Sequence, residues 1–315
     1  MKTKSKQKAE GSVSSFIRPT SAFEVLTRAT QSLAAIEFPR LTAEVLLAHV
    51  LGVTRTQLLT RPEQAVSAAD RAQYEQLAAR AAEGEPLAYL GGQREFYGLD
   101  FFVDPRVLVP RPETELLVEL ALKSISEFAK KAKTAEKDSA LAAFSLANIV
   151  DVGTGSGCLA VTLAVKLPQA RVTALDVSGE ALAVAGANAE RHGVLSRITF
   201  IQSDLLSGLR PPTFGYQLLV ANLPYIASGE LGLLPVSQHE PRLALDGGPD
   251  GLALIRRLLA DAPRVMARGG CALMEIAATQ AAAATALARA AFPSAQVTVH
   301  KDWAGLERAV EINLT

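Results

Sequence analysis

The stretch Ile149-Val-Asp-Val-Gly-Thr-Gly-Ser-Gly157 reads as a hydrophobic strand that runs into a glycine-rich turn and then a helix. Gly153, Gly155 and Gly157 alternate, so the backbone can turn tightly and a ligand can approach without a Cβ in the way. A dinucleotide fingerprint would put its third glycine one residue later, where this chain has Cys158. No pyrophosphate cradle is therefore expected. The next strand ends at Asp176, roughly twenty residues on, and a carboxylate at that strand tip can accept both hydroxyls of a ribose. Asp204 and Leu205 follow the third strand, where an adenine edge and face would sit. Loop glycines with ordinary helix-capping acids are the plain alternative, but the strand context and the spacing of the acids argue for a nucleoside site.

The loop Asp151 to Gly157, including Thr154 and Ser156, resembles the nucleoside-binding loop of class I S-adenosylmethionine-dependent methyltransferases. That resemblance places Asp151 facing the methionine ammonium. About 70 residues further on comes Asn222-Leu-Pro-Tyr225, after the fourth strand of the pattern, where open α/β sheets place their active sites. A planar amide nitrogen, or the exocyclic amine of a base, is a poor nucleophile because its lone pair is delocalised. The Asn222 side-chain oxygen and the Leu223 carbonyl can hold its two N–H groups and aim the lone pair at a sulfonium methyl. Tyr225 can stack on the flat π-face, and Pro224 stiffens the loop. No strong base is needed first, since the proton can leave once the nitrogen is cationic. Glutamine and adenine pose the same problem, so the tetrapeptide alone does not choose between them.

These residues need a sheet to hold them. From Ala147 onward strands and helices alternate, with strand candidates at Ile149–Val152, Val172–Asp176, Ile198–Gln202, Gln217–Ala221 and Cys271–Ile276. The pattern predicts an α/β domain, a parallel sheet with helices on both faces, closed by strands at Gln296–His300 and Arg308–Leu314. Residues 20–85 read as a bundle of helices without a chemical motif: Ala22, Val25, Leu26, Ala29 and Leu33 recur at helical spacing, as do Ala43, Leu46, Leu47 and Val50. Ser67 and Asp70 suggest a capping box ahead of the stripe Tyr74, Leu77, Ala78 and Ala81. Residues 86–110 predict a connecting β-hairpin, with glycine at its turn at Gly98. Pro112 can start a helix whose first turn holds Glu113 and Glu115 and whose face is Leu116, Leu117 and Leu120. Residues 124–146 suggest an exposed, partly helical connection, and residues 1–19 a flexible tail. The domain expected from 111 to 315 carries the glycine loop and the tetrapeptide.

Composition narrows the function. Lys plus Arg and Asp plus Glu both number 32, so net charge is zero and a dedicated nucleic-acid binder is not expected. No apolar run is long enough to span a membrane, and the polar, basic start is not a secretory signal. The two cysteines, Cys158 and Cys271, lie far apart in apolar runs and suit reduced core thiols in a cytoplasmic protein. With His49, His192, His239 and His300 scattered, no metal site of usual spacing is expected, and His192 and His239 read as surface residues.

Three strings together carry a resemblance to a known family: Val109-Pro-Arg-Pro-Glu-Thr-Glu115, Asp151 to Gly157, and Asn222 to Tyr225. Pro86-Leu-Ala-Tyr89, Glu95-Phe-Tyr-Gly98, Glu240-Pro241, Leu243-Ala-Leu245, Gly247-Gly248, Glu275-Ile276 and Lys301-Asp-Trp-Ala-Gly305 with Arg308 agree with it. The chain is similar, over about residues 22–313, to the peptide chain release factor glutamine methyltransferases. The resemblance implies a seven-stranded, Rossmann-like class I methyltransferase sheet. It implies N5-methylation, from S-adenosylmethionine, of the glutamine in the Gly-Gly-Gln motif of class I release factors. It also implies that the N-terminal helical domain docks the release factor. Carried over by position, Gly153 to Gly157, Asp176, Asp204, Leu205 and Asn222 would meet the donor, and Asn222, Leu223, Pro224 and Tyr225 the glutamine. Leu223 replaces the family's usual Pro, but only its carbonyl is used, so activity is expected to survive; Ala277 replaces a common Gly. Arg111 and Glu113 read as structural or domain-orienting. The chain's own Gly91-Gly92-Gln93 reads as coincidence. An adenine N6-methyltransferase acting on rRNA or DNA, and a donor-binding scaffold without catalysis, are the competing readings; the Pro-Arg-Pro-Glu-Thr-Glu string favours the glutamine enzyme.

Overall fold

The computed structural model describes residues 20–134 and 147–315. Two compact units divide between Leu90 and Gly91. The expected tail at 1–19 lies outside the described residues, as does the second half of the 124–146 connection. Helix Glu115–Thr134 runs through the first half of that connection, in line with its partly helical reading.

The first unit is helical: Ala22–Ser32, Pro39–Leu51, Arg55–Thr60, Ala68–Ala82 and the short Leu87–Leu90. Local chemistry starts and stops these helices. Ser21 and Glu24 satisfy each other's backbone amides in a capping box, and Thr54 and Gln57 do the same. Pro39 opens its helix, and Gly52 in the left-handed region closes it. At Ser67 only half of the expected box forms. The Ser67 hydroxyl accepts from the Asp70 amide, but then donates to the Asp70 carboxylate, which leaves the Ser67 backbone amide without that partner. Val25, Leu46, Leu47, Leu58, Tyr74 and Leu77 form the core, while Leu26 and Val50 of the predicted stripes are only partly buried.

The second unit opens with a hairpin, β1 (Gln93–Phe96) and β2 (Leu99–Phe102). Its turn is Tyr97-Gly98, both at positive φ (53° and 78°), the pairing that matches the twist of a two-residue hairpin. The Tyr97 amide donates to Glu115, and the Phe102 amide and carbonyl both bond to the Asn188 side chain. These bonds fix the hairpin to the domain that follows it. His192 belongs to the same seam: its ring bonds to the Asp100 carbonyl at 2.9 Å and lies 5.4 Å from the Phe101 ring. His192 is partly exposed, as expected, and also braces this seam.

The large sheet contains β3 (Asn148–Val152), β4 (Arg171–Asp176), β5 (Ile198–Gln202), β6 (Tyr216–Ala221), β7 (Met266–Glu275), β8 (Gln296–Lys301) and β9 (Glu307–Asn313). Its spatial order is β5-β4-β3-β6-β7-β9-β8. The strands from β5 to β7 are parallel, and β9 runs antiparallel to both β7 and β8. Every residue of β6 is buried, as a central parallel strand covered on both faces requires. The chain winds outward from β3 through β4 to β5, then crosses back to β6 on the other side of β3. The carboxyl ends of β3 and β6 therefore flank the reversal of strand order, where such sheets open a crevice.

Candidate active site

A cavity of about 510 Å³ opens at those strand ends. Its walls include Gly153, Thr154, Gly155, Ser156, Asp176, Asp204, Leu205, Asn222, Leu223 and Pro224, so one crevice gathers most of the residues expected from the sequence. Asp151, Gly157 and Tyr225 are not on its walls.

The loop after β3 is held by its own backbone. The Gly153 and Thr154 amides both donate to the Leu175 carbonyl of β4 at 2.8 Å. Gly153 has φ +74°, and a Cβ there would stand 2.9 Å from Leu223 Cδ2. Gly157, at φ +80°, starts helix Cys158–Lys166, and a Cβ on it would meet Ala185 Cβ at 3.0 Å. Gly157 thus lets this turn pack closely against the helix that carries Ala185. Asp151 lies beneath the loop. It is wholly buried; its Oδ2 accepts from the Thr154 hydroxyl (2.7 Å) and the Ala160 amide (3.2 Å), and Oδ1 has no partner. Burial pushes its carboxyl up to about 7. It fixes the loop from beneath instead of bordering the cavity.

Asp176 ends β4 on the wall. Its two oxygens accept from the Gly155 and Ser178 amides, each at 2.9 Å, which orients the carboxylate and still leaves lone pairs for a ligand. Burial raises its pKa, and those amides oppose the rise. Leu205 sits at φ +52°, a conformation costly for a branched residue and found here at a site wall. The Ser203 hydroxyl braces that turn by donating toward the carbonyls of Leu205 and Ser207. Asp204 pairs with Arg257 across the rim at 2.7 Å, about half exposed, a geometry that adds little stability.

Asn222 is aimed by a buried relay. Its Nδ2 donates to Thr114 Oγ1 (2.9 Å), the Thr114 hydroxyl donates to Glu275 Oε2 (2.7 Å), and the Tyr225 hydroxyl reaches Glu275 Oε1 at 3.3 Å. Burial pushes the Glu275 carboxyl up to about 7, although Thr114 and Arg308 pull it down. The tetrapeptide backbone is braced from behind. Gln280 Nε2 donates to the Tyr225 carbonyl at 2.9 Å, and a Cβ on Gly247 would lie 2.7 Å from the Pro224 carbonyl. Tyr225 is therefore tethered through its hydroxyl and its carbonyl, with its ring off the cavity wall.

Arg111 lines the cavity and pairs with the buried Glu240 at 2.7 Å. This joins two of the strings that the sequence singled out separately and agrees with a structural role for Arg111. Three supporting residues were not singled out. Thr114 and Glu275 sat inside quoted strings without a role. Asn188 bonds to both Phe102 and, through Nδ2, the Ser156 carbonyl at 2.9 Å, so it ties the hairpin to the glycine loop. Its signal was a polar residue on the apolar stripe of its helix.

Comparison with known proteins bears on the same residues. A family profile described as the PrmC N-terminal domain matches residues 24–92, and one described as the methyltransferase small domain matches residues 139–233. The chain is 41% identical over 279 residues to the release factor glutamine methyltransferase of Chlorobaculum tepidum, covering 87% of this chain and 90% of that one. It is 42% identical over 290 residues to the protein of the same name in Moorella thermoacetica, covering 90% and 95%. Among solved structures, the hMettl16 catalytic domain in complex with MAT2A 3'UTR hairpin 1 superposes with a TM-score of 0.53 at 15% identity, covering 77% of this chain and 81% of that one. That likeness shows the α/β fold with its seven-stranded sheet.

Proposed function

The chain belongs to the release factor glutamine methyltransferase family, and we propose that it transfers a methyl group from S-adenosylmethionine to the side-chain amide nitrogen, N5, of the glutamine in the Gly-Gly-Gln motif of class I peptide chain release factors. The observation that carries this reading is the Asn222 amide, turned by Thr114 so that its oxygen remains free of that bond at the cavity wall. An acceptor is what a conjugated NH2 group needs there.

The residues present fit the donor. The glycine loop leaves room that a Cβ at Gly153 would take from Leu223, and Asp176 offers an oriented carboxylate for a ribose. Gly153 to Ser156, Asp176 and the Asp204–Leu205 turn would hold it, with Asp151 keeping the loop in shape. When bound, S-adenosylmethionine supplies an electrophilic methyl on a sulfonium. Asn222 Oδ1 and the Leu223 carbonyl accept the two N–H groups of the glutamine, Pro224 limits the loop's motion, and Tyr225, tethered through its hydroxyl and its carbonyl, keeps the tetrapeptide in shape. Positioning of this kind supplies rate without a strong base. The proton is surplus once nitrogen carries the methyl and passes to solvent.

In this reading the helical unit docks the release factor, supported by its match to the PrmC N-terminal profile. A cytoplasmic setting suits the two free thiols, Cys158 and Cys271, and none of the described helices is long and apolar enough to cross a membrane. The test is fragment-ion mass spectrometry of a release factor incubated with donor and enzyme. A methyl on the Gly-Gly-Gln glutamine is the expected product. Label found in rRNA or DNA adenine and not in that glutamine would favour the nucleic-acid reading, and no transfer to either would favour a scaffold.

A further inference from the structure

We propose that Glu275 is a positioning residue which, acting through Thr114, decides which end of the Asn222 amide meets the substrate. The proposal rests on the reading that Asn222 accepts from a glutamine NH2. The relay is directional. An ionised carboxylate can only accept, so Glu275 Oε2 takes the single hydroxyl proton of Thr114 at 2.7 Å. Thr114 Oγ1 can then only accept from Asn222, and only the NH2 end of the amide has a proton to give, at 2.9 Å. The carbonyl end is left for the cavity. A group at 275 that donates would reverse each bond in turn. Thr114 would donate to Asn222, the amide would present NH2 to the cavity, and two donors would face each other across the substrate bond.

The surroundings make Glu275 an unusual choice for any other purpose. It is 1% exposed at the end of β7, where the neighbours Ala272, Leu273, Met274 and Ile276 are all buried and apolar. Arg308, the cation that acts on Glu275, hydrogen-bonds to Asp302 at 3.1 Å. A buried acid without its own bidentate cation is expensive to keep, and an amide of the same shape would cost less. An amide, however, is both donor and acceptor and does not fix the direction of the relay. The charged and titratable groups acting on the pair are Tyr225, Arg308, Glu113 and Arg111.

The experiment uses the full chain with an intact release factor, at pH 8 and saturating S-adenosylmethionine. The variants are Glu275→Gln, Thr114→Val and Thr114→Ser. Glu275→Gln and Thr114→Val should lower kcat on the order of 10²-fold, the penalty of a misaligned reacting group, with donor affinity close to wild type and a loss of kcat that does not track the change in Tm. Thr114→Ser keeps the hydroxyl and should keep kcat. In 15N-labelled protein without substrate, the Asn222 side-chain amide protons should exchange more slowly in the wild type and the Ser variant than in the Val variant. Wild-type kcat in both Glu275→Gln and Thr114→Val overturns the proposal. So does a loss of kcat in Thr114→Ser equal to that in Thr114→Val, or a loss that merely follows Tm. If Glu275→Gln does not fold, the Val and Ser pair decides alone. Should the wild-type enzyme leave the glutamine unmethylated, the functional reading fails first and takes this proposal with it; a methylated glutamine with unaffected variants removes the proposal alone.

Discussion

The glycine loop and the tetrapeptide touch at Gly153 and Leu223, and that contact can be measured. Gly153→Ala introduces two separable costs. At φ +74° an L side chain is strained, by about 1–2 kcal/mol. The new Cβ also stands 2.9 Å from Leu223 Cδ2, and overpacking of that kind costs about 1–3 kcal/mol. The single variant should lose roughly 2–5 kcal/mol of stability. Leu223→Ala alone removes a side chain only 4% exposed, at a cost of about 2–5 kcal/mol. In the double variant the backbone strain persists but the clash has no partner, and the alanine methyl fills part of the space vacated. The double variant should therefore be more stable than additivity requires, by about 1–3 kcal/mol. Urea denaturation of the four proteins at one pH reads this directly, with the slope m checked for constancy. Additivity to within about 0.5 kcal/mol would mean that the two motifs do not meet, and the shared wall described above would be wrong.

Asn222→Ala should leave donor affinity nearly unchanged in calorimetry and lower kcat by about 10²–10³-fold, as removal of one aligned polar contact does; unchanged kcat would remove Asn222 from the chemistry. Asp176→Ala should weaken donor binding by about 1.5–3 kcal/mol, the value of a hydrogen bond to a charged group, and an unaltered calorimetric titration would take it out of the donor site. Burial raises Glu275 from 4.5 to about 7, so its contribution favours folding below the ordinary carboxylate range and is lost as pH rises through about 7. Urea midpoints measured between pH 5 and pH 8 should show a decline that Glu275→Gln reduces, and an identical decline in both proteins would contradict the burial argument.

Most of the sheet was legible because its signals are local. The five parallel strands and the closing pair fall within a few residues of the ranges expected, since apolar runs bounded by glycine, proline and acids mark strand ends. The start of β7 was missed. It begins at Met266, before Gly269 and Gly270, and a register shift against β6 accommodates the extra residues. Glycine in that stretch reads as a turn, yet Gly270 lies in the strand, where a Cβ would be crowded at 3.0 Å from the Ala267 carbonyl and 3.1 Å from the Gln217 carbonyl. The site was legible as three strings but not as one object. The resemblance of the loop placed Asp151 facing the donor's ammonium, and the sequence did not show how deeply it is buried. Its burial depends on Thr154 and Ala160 closing over it, which spacing does not report.

The residues that escaped share one feature: each is a polar side chain at a position where the local pattern asks for an apolar one. Asn188 occupies the buried face marked by Ala181, Val184 and Ala185. Glu275 follows Leu273 and Met274 in a buried strand, and Thr114 is 1% exposed beside the exposed Glu113. Buried polar groups are costly unless paired, so such a residue points to a partner elsewhere in the chain even when sequence does not say which. Here the partners are long-range: Asn188 meets Phe102, Thr114 meets both Glu275 and Asn222, and Arg111 meets Glu240. This is also why three short strings are more specific together than apart. A glycine loop can bind many nucleosides, and Asn-Leu-Pro-Tyr suits any conjugated NH2. Thr114, from the string at 109–115, accepts the hydrogen bond of the Asn222 amide. The string at 109–115 and the tetrapeptide at 222–225 thus meet in one hydrogen bond, so on the proposed function a substitution at Thr114 should be read in kcat and not in donor affinity.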